Sequence, residues 1–448
     1  MKNQKPKILI ISYYFPPLNV IASLRVYSWA KYWSRMGYEV CVLTAKKNHH
    51  DGSLDLPIDA DVAASVRIEE TPYKSFRKKP FHRKKGNNLS PAKKRFCVIS
   101  TAKKCAKKIL SVIRHFTGID PYSPHLWVHL SVKKALEIHK QWPFDLVVSS
   151  YGPPASHIIG SILKKKLPVY WVADYRDLWY GNYFYSGKWP FTYLEYLIEY
   201  FLVKKADFIT TVSDPLKDNL TSLFGNKVAT IENGFDEEDS DKIETTGIFP
   251  DDGKIRLVYT GRIYAEKQDY LQLLKALAIL KGRGIPLQEK LEVLFYGFLL
   301  EPIWNMVAKY NLENIIIMHG FVDRKVSLEA QRDADALIFF DWQDPTAKGM
   351  LTGKFFEYMF SGTPILNISN SCETINSKLV EEAGIGVNVV GSAEKLADTI
   401  ETMIRGGKLP YQPSQEVLLR FTRRHLAEKM IKEITTRLPN SSNSSTDM

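Results

Sequence analysis

Cysteine is scarce in this sequence. The four present among 448 residues, Cys41, Cys97, Cys105 and Cys372, are scattered. None forms the close pair that a zinc ribbon or a redox motif requires, so they read as reduced thiols in a cytosolic protein. Long apolar runs are also missing. No stretch reaches the roughly 18 residues of a membrane span, so any membrane contact is expected to be peripheral. The opening MKNQKPKILIISYYF imitates a secretory leader. Pro16-Pro17 and a helical pattern stand where a small-residue cleavage site would be, so the run reads as a first buried strand. Acidic residues are absent between Lys74 and Arg114, where fifteen Lys/Arg fall, and this one segment accounts for more than the whole net charge of +12. The basicity is local, which argues against a nucleic-acid-binding protein and for a basic patch on one domain.

What the chain has is length and an apolar fraction of 45%, enough for two domains with their own cores. Short apolar runs alternate with helical patterns. Strands are expected at Ile8–Ser12, Glu39–Thr44, Asp145–Ser149, Val169–Ala173 and Phe208–Val212, with a helix over Leu24–Met36 that Gly37 stops. After the acidic, irregular stretch that follows ENGFD (Glu232–Asp236), the alternation restarts. The expected strands are Ile255–Tyr259, Leu291–Tyr296, Ile315–His319, Ala336–Phe340 and Pro364–Ile368. Such alternation implies parallel sheets covered on both faces. The fold class is therefore α/β, with two Rossmann-like, doubly wound parallel-sheet domains facing each other across a cleft. The expected boundaries are 1–235 (with a basic insertion at 74–115) and 236–410. A C-terminal helix, placed at Glu416–Leu438 within a segment 411–438, would pack back on the first domain, and a polar tail spans 439–448.

Ligands of such folds bind at the carboxyl ends of the strands. In the second domain YTGRIYAEKQ (Tyr259–Gln268) carries a strand into a turn at Gly261, followed by Arg262 and Lys267. Glycine lets the backbone approach a ligand and two cations suit a diphosphate; a solvated turn has the same composition. Thr352-Gly353-Lys354 precedes an apolar-periodic helix, so amide groups, helix dipole and lysine converge where an anion can bind. Glu357, one turn in, either accepts ribose hydroxyl hydrogen bonds or is an ordinary surface glutamate. In the first domain SSYGPPASH and ADYRDLW follow two strands on one sheet edge. His157, Asp174, Arg176 and Asp177 there can orient an acceptor hydroxyl or take its proton; an Arg–Asp pair closing the loop is the alternative for Arg176. Arg25, at the start of the first helix, is a ligand contact or a structural salt bridge.

TGKFFEYMFSGTPIL, together with YTGR, VSDPLKDNL, ENGFD and FPPLNVIASLR, which follow one another along the chain in the family's order, closely resembles the bacterial family-four glycosyltransferases. Their two Rossmann-like domains form the GT-B arrangement. The resemblance runs from about Ile8 to Glu433. It implies transfer of a sugar from a nucleotide diphosphate sugar, with no cofactor and no metal, since no Asp-x-Asp pair sits where a donor-bridging metal would need it. Arg262 and Lys267 would hold the diphosphate, the Thr352-Gly353 backbone would meet the phosphates, and Glu357 would bind the ribose. HGFVDR, with His319 and Gly320, would line the base through its backbone; His319 otherwise reads as a buried strand-end residue. Retention of configuration and a lipid-linked saccharide acceptor of a surface polysaccharide are the further expectations.

Two departures stand out. Many relatives carry a second glutamate eight positions before the one matching Glu357, and here that position is Gly349. The first loop is rich in glycine in many relatives, and here it reads Asn19, Val20, Ile21, Ala22, Ser23. These departures leave a non-catalytic binding relative open, and a sugar-nucleotide epimerase stays open because it shares the two-domain architecture. The basic segment 74–115 surrounds apolar positions with lysines, which suits docking to an anionic membrane surface on the cytoplasmic face; a solvated insertion has the same composition.

Overall fold

The computed structural model describes residues 5–48, 51–72, 127–182, 188–242, 246–264, 267–297, 301–343 and 349–438. The basic segment 74–115 and the tail 439–448 lie outside the described residues. Two units emerge: Met1–Ile231 with Ala427–Met448, and Glu232–Leu426.

The first unit holds seven strands: β1 (Ile8–Ile11), β2 (Val40–Ala45), β3 (Arg67–Thr71), β4 (Leu146–Ser150), β5 (Tyr170–Tyr175), β6 (Phe208–Thr211) and β7 (Val228–Thr230). All pair in parallel in the order β3-β2-β1-β4-β5-β6-β7. The central strand, Ile-Leu-Ile-Ile, is wholly buried because helices cover both faces. The chain reverses its winding between β1 and β4, the switch point at which such sheets bind ligands.

The second unit repeats the plan with β8 (Ile255–Thr260), β9 (Leu291–Tyr296), β10 (Ile316–Gly320), β11 (Ala336–Phe340), β12 (Ile365–Ser369) and β13 (Gly386–Val390). Their order is β10-β9-β8-β11-β12-β13, again parallel, and the winding reverses between β8 and β11.

Three strands lacked a sequence signal. β3 (RIEET) and β7 (VAT) are short outermost strands whose partly exposed residues need no apolar run, and β13 (GVNVV) opens on a glycine. The domain boundary also moves. Phe235 donates its N–H to Phe421 O at 3.1 Å and accepts from the Arg423 N–H at 2.8 Å, so GFD belongs to the second unit. The expected single C-terminal helix is two, Gln415–Arg420 and Arg423–Thr435, broken at Phe421-Thr422 where that backbone pairing intervenes. From Ala427 on, the chain belongs to the first unit: Trp33 Nε1 donates to Ala427 O at 2.9 Å, and the Arg437 guanidinium lies 4.6 Å from the Phe208 ring centre.

Candidate active site

In the second unit three neighbouring strands end on glycine. Gly261 after β8, Gly297 after β9 and Gly320 at the end of β10 have φ of +96°, +139° and +70°. The Gly261 N–H donates to Tyr296 O at 2.6 Å and the Gly297 N–H to Gly320 O at 2.7 Å, so the ladder continues through the turns. A Cβ on Gly297 would stand 2.3 Å from Gly261 O, which excludes any side chain. Gly297 was not singled out from sequence, although YG at the end of a buried strand is the same signal that marked Gly261.

The helix Gly353–Phe360 brings its first turn to this edge. Lys354 Cε and Nζ lie 3.2 and 3.4 Å from where a Gly261 Cβ would be, and Nζ sits 3.7 Å from the centre of the Tyr259 ring. Burial pulls the ammonium down to about 7, and Glu357 opposes the shift. Helix and strand are pinned by Tyr358, whose hydroxyl accepts the Thr260 N–H at 2.8 Å. Thr352 is the N-cap, yet its side chain caps nothing, and its buried Oγ1 has no hydrogen-bond partner among the described residues. Arg262 is exposed, its guanidinium 5.2 Å from the Tyr264 ring centre. Lys267 lies in the same loop, held by Lys267 N–H to Tyr264 O and Gln343 N–H to Lys267 O, both at 2.8 Å. Gln268 fastens that loop to β11 through Nε2 to Phe340 O at 2.7 Å.

Glu357 is not an ordinary surface glutamate. Its Oε1 accepts from Arg324 at 2.6 Å, and Arg324 reaches Asp239 at 2.9 Å with its other nitrogen. This fixes the carboxylate's direction, and among the described residues Oε2 accepts no hydrogen bond. Two acids hold Arg324 above the ordinary arginine range against the cost of burial, so it is a permanent cation. Arg324 and Asp239 were given no role from sequence; Arg324 closes HGFVDR, and only the fold sets it beside Glu357.

His319 is exposed, which overturns the buried alternative; it stacks on Tyr296 with ring centres 4.5 Å apart and planes 5° apart. Asp341 does not stand in for the carboxylate absent at Gly349. It is buried and takes hydrogen bonds from the Trp342 N–H, Ser369, Thr374 and Asn376 at 2.5–3.1 Å, anchoring the start of the loop that leads to Thr352.

In the first unit the structure redistributes the expected roles. Asp174 has no exposed surface. It receives Arg25 through Nη2 at 2.7 Å and Nε at 3.3 Å, Ser150 at 3.0 Å and Thr210 at 2.9 Å. A carboxylate so saturated cannot take a proton from an acceptor. Arg25 is correspondingly the structural partner of Asp174 and also donates to Ile231 O at 2.9 Å. The Arg–Asp pair thus exists, but through Arg25. Arg176 donates to Tyr151 O at 2.7 and 3.0 Å, and a Cβ on Gly152 would meet its Nη2 at 2.3 Å. His157 is wholly buried, its Nδ1 2.8 Å from Ser149 Oγ, and burial drops it to about 3. It is a neutral core residue against Tyr175, with ring centres 4.8 Å apart. Asp177 stays partly exposed; burial raises its carboxyl and Arg176 opposes the shift. Asn19 is half-buried and its N–H donates to Ser53 O at 2.9 Å. Among the described residues no group of three His, Cys, Asp or Glu is arranged to hold a metal ion.

Residues 96–239 match the family described as Glycosyltransferase Family 4. Among solved structures, sucrose-phosphate synthase from Thermosynechococcus elongatus is similar with a TM-score of 0.62 at 15% identity, over 97% of this chain and 99% of that one. The N-terminal domain of Candida albicans trehalose-6-phosphate phosphatase gives 0.58 at 12% identity over 98% of each chain. The lipopolysaccharide outer core galactosyltransferase WaaB gives 0.55 at 12% identity, over 96% of this chain and 100% of that one. No curated protein matches the sequence. The fold, two Rossmann-like units of the GT-B kind, is common to these structures.

Proposed function

We infer from the family-four match over residues 96–239, set on a GT-B fold, that the protein is a glycosyltransferase using a nucleotide diphosphate sugar. The observation that carries the donor site is the first turn of helix Gly353–Phe360 resting on the Gly261 turn, with Glu357 held one turn later by Arg324. Amide groups at a helix N-terminus, the Lys354 ammonium and the cations Arg262 and Lys267 supply the charge that a departing diphosphate needs. No metal is required in this reading. Glu357 Oε2 is the acceptor for a ribose hydroxyl. The stacked Tyr296–His319 pair beside Gly320 is a flat wall suited to the base.

In the transfer the bond between the sugar's anomeric carbon and the phosphate oxygen breaks with its electrons on the phosphate. The acceptor oxygen bonds to that carbon on the face the phosphate leaves, passing its proton to the departing phosphate, so the configuration is kept. Asp174 and His157, committed to the core, are not available as base, and the departing phosphate takes that role. Asp177 remains as an orienting group for the acceptor, a saccharide on a lipid carrier at the cytoplasmic face of a membrane, with segment 74–115 against its anionic lipids.

The test is calorimetric titration with UDP-, GDP- and other sugar nucleotides, followed by transfer assays on membrane extracts. Glu357→Ala and Lys354→Ala each weaken donor binding at least about tenfold, the scale of one lost charge-assisted hydrogen bond; unaltered transfer in both would refute the site. A sugar-nucleotide epimerase, which shares the two-domain architecture, is the second reading, and an isomerised donor formed without acceptor would establish it.

A further inference from the structure

The helix Phe191–Val203 is built inside out. A helix that covers a sheet turns its apolar stripe to the core. Here Glu195, Glu199 and Val203, one turn apart, face inward, with the two acids only 7% and 2% exposed. Leu194, Ile198 and Phe201, spaced for one face, are 53%, 39% and 52% exposed, and Trp189, just before the helix, is 82% exposed. The orientation is fixed by bonds: Glu199 accepts from the Tyr175 hydroxyl at 2.9 Å and from the Tyr180 N–H at 2.7 Å. An exposed stripe of this kind marks an interaction surface.

Its rim is basic. Lys204 Nζ lies 4.4 Å from the centre of the exposed Phe201 ring. Lys205 stands beside Lys165, and Lys227 Nζ donates to Lys204 O at 2.8 Å. The neighbouring helix Ala155–Lys166 ends in three consecutive lysines. A carboxylate beside that rim, Asp207, is taken by Lys164 at 2.6 Å. With both acids of the helix turned inward, the outer face offers apolar and aromatic groups beside a cluster of cations.

We propose that this face is a membrane-docking surface, with Leu194, Ile198, Phe201 and Trp189 entering the interfacial layer of an anionic bilayer while the lysine rim meets its headgroups. The composition fits that occupant. Tryptophan partitions to the headgroup boundary, leucine and phenylalanine go below it, and lysines snorkel to the phosphates. No described helix is long and apolar enough to cross a membrane, so the contact is in-plane. The proposal rests on described residues alone and does not depend on the donor site or on segment 74–115.

The full chain is sedimented with phosphatidylcholine vesicles, with and without phosphatidylglycerol, in the absence of any nucleotide sugar. The wild type binds the anionic vesicles. Leu194→Gln/Phe201→Gln loses at least about tenfold in partition coefficient, from two apolar side chains withdrawn from the bilayer. Lys204→Glu/Lys205→Glu loses the preference for phosphatidylglycerol. Vesicles with brominated acyl chains quench a fluorescence component that Trp189→Phe removes. Trp189, Leu194, Phe201 and Lys204 are exposed and Lys205 is half-buried at the rim, so melting temperature and sugar-nucleotide binding stay at wild-type values, which separates failure here from failure of the donor site. Equal vesicle binding by wild type and the apolar double variant, or quenching unchanged in Trp189→Phe, overturns the proposal. Loss of self-association or of an acidic protein partner in the same variants, without vesicle binding by the wild type, also overturns it.

Discussion

Arg25→Met is the perturbation that separates a structural from a catalytic reading of the first unit. In the wild type the Arg25 side chain is 5% exposed and that of Asp174 not at all. Removing the guanidinium strands a buried carboxylate that keeps only the Ser150 and Thr210 hydroxyls. Breaking a buried pair from one side costs about 3–5 kcal/mol, because the remaining charge has lost its compensation. For a unit of this size about 1 kcal/mol moves the midpoint by roughly 2–4 °C, so the variant should melt roughly 6–20 °C below the wild type. Arg25→Met/Asp174→Leu removes both charges and should recover much of that loss, since an apolar replacement of an ion pair is close to neutral. Scanning calorimetry with sugar-nucleotide titration below the transition reads both quantities. The reasoning is refuted if Arg25→Met melts within about 2 °C of the wild type, the change expected of a surface substitution, while transfer is abolished. The guanidinium would then belong to the ligand.

Three further outcomes are expected. Burial holds the Glu195 carboxyl up at about 8 and Glu199 at about 7, so the folded state keeps protons that the unfolded chain releases near 4.5. Stability from this pair is therefore full below the unfolded value and falls as pH rises through that window; urea midpoints of Glu195→Gln/Glu199→Gln at pH 5 and pH 8 should show a flatter slope, and an unchanged slope would contradict the assignment. Lys354, held near 7 by burial, must be charged to meet a diphosphate. Donor affinity should thus decline as pH rises above 7, with proton uptake on binding measurable by calorimetry in buffers of different ionisation enthalpy and absent in Lys354→Met. Gly297→Ala forces a Cβ against Gly261 O and a non-glycine residue to φ +139°; a loss of about 2 kcal/mol or more and weaker donor binding should follow. Gly282→Ala, with open space around it, should do neither.

The repeating plan was legible because strand and helix signals are local. β11 falls on the expected Ala336–Phe340, Gly261 marks its turn and Thr352-Gly353 the start of its helix by composition alone. The fate of the charges was not local. Arg25 and Asp174 are 149 residues apart, and Glu357 and Arg324 are 33. The same residue types in ADYRDLW suit proton transfer or core ion pairing, and only burial distinguishes them.

The helix Phe191–Val203 makes the same point from the apolar side. FTYLEYLIEYFLV is recognisably helical, yet its periodicity serves either an apolar or an acidic inner face. The hydroxyl of Tyr175 and the N–H of Tyr180, delivered from β5 and the loop after it, reward the acidic one. Sequence determined most of the strands and helices, short outer strands excepted, because backbone preferences act over a few residues. Tertiary structure decided which carboxylates are buried, which cations they meet and which apolar face is left to solvent, because those depend on neighbours the chain brings from far away.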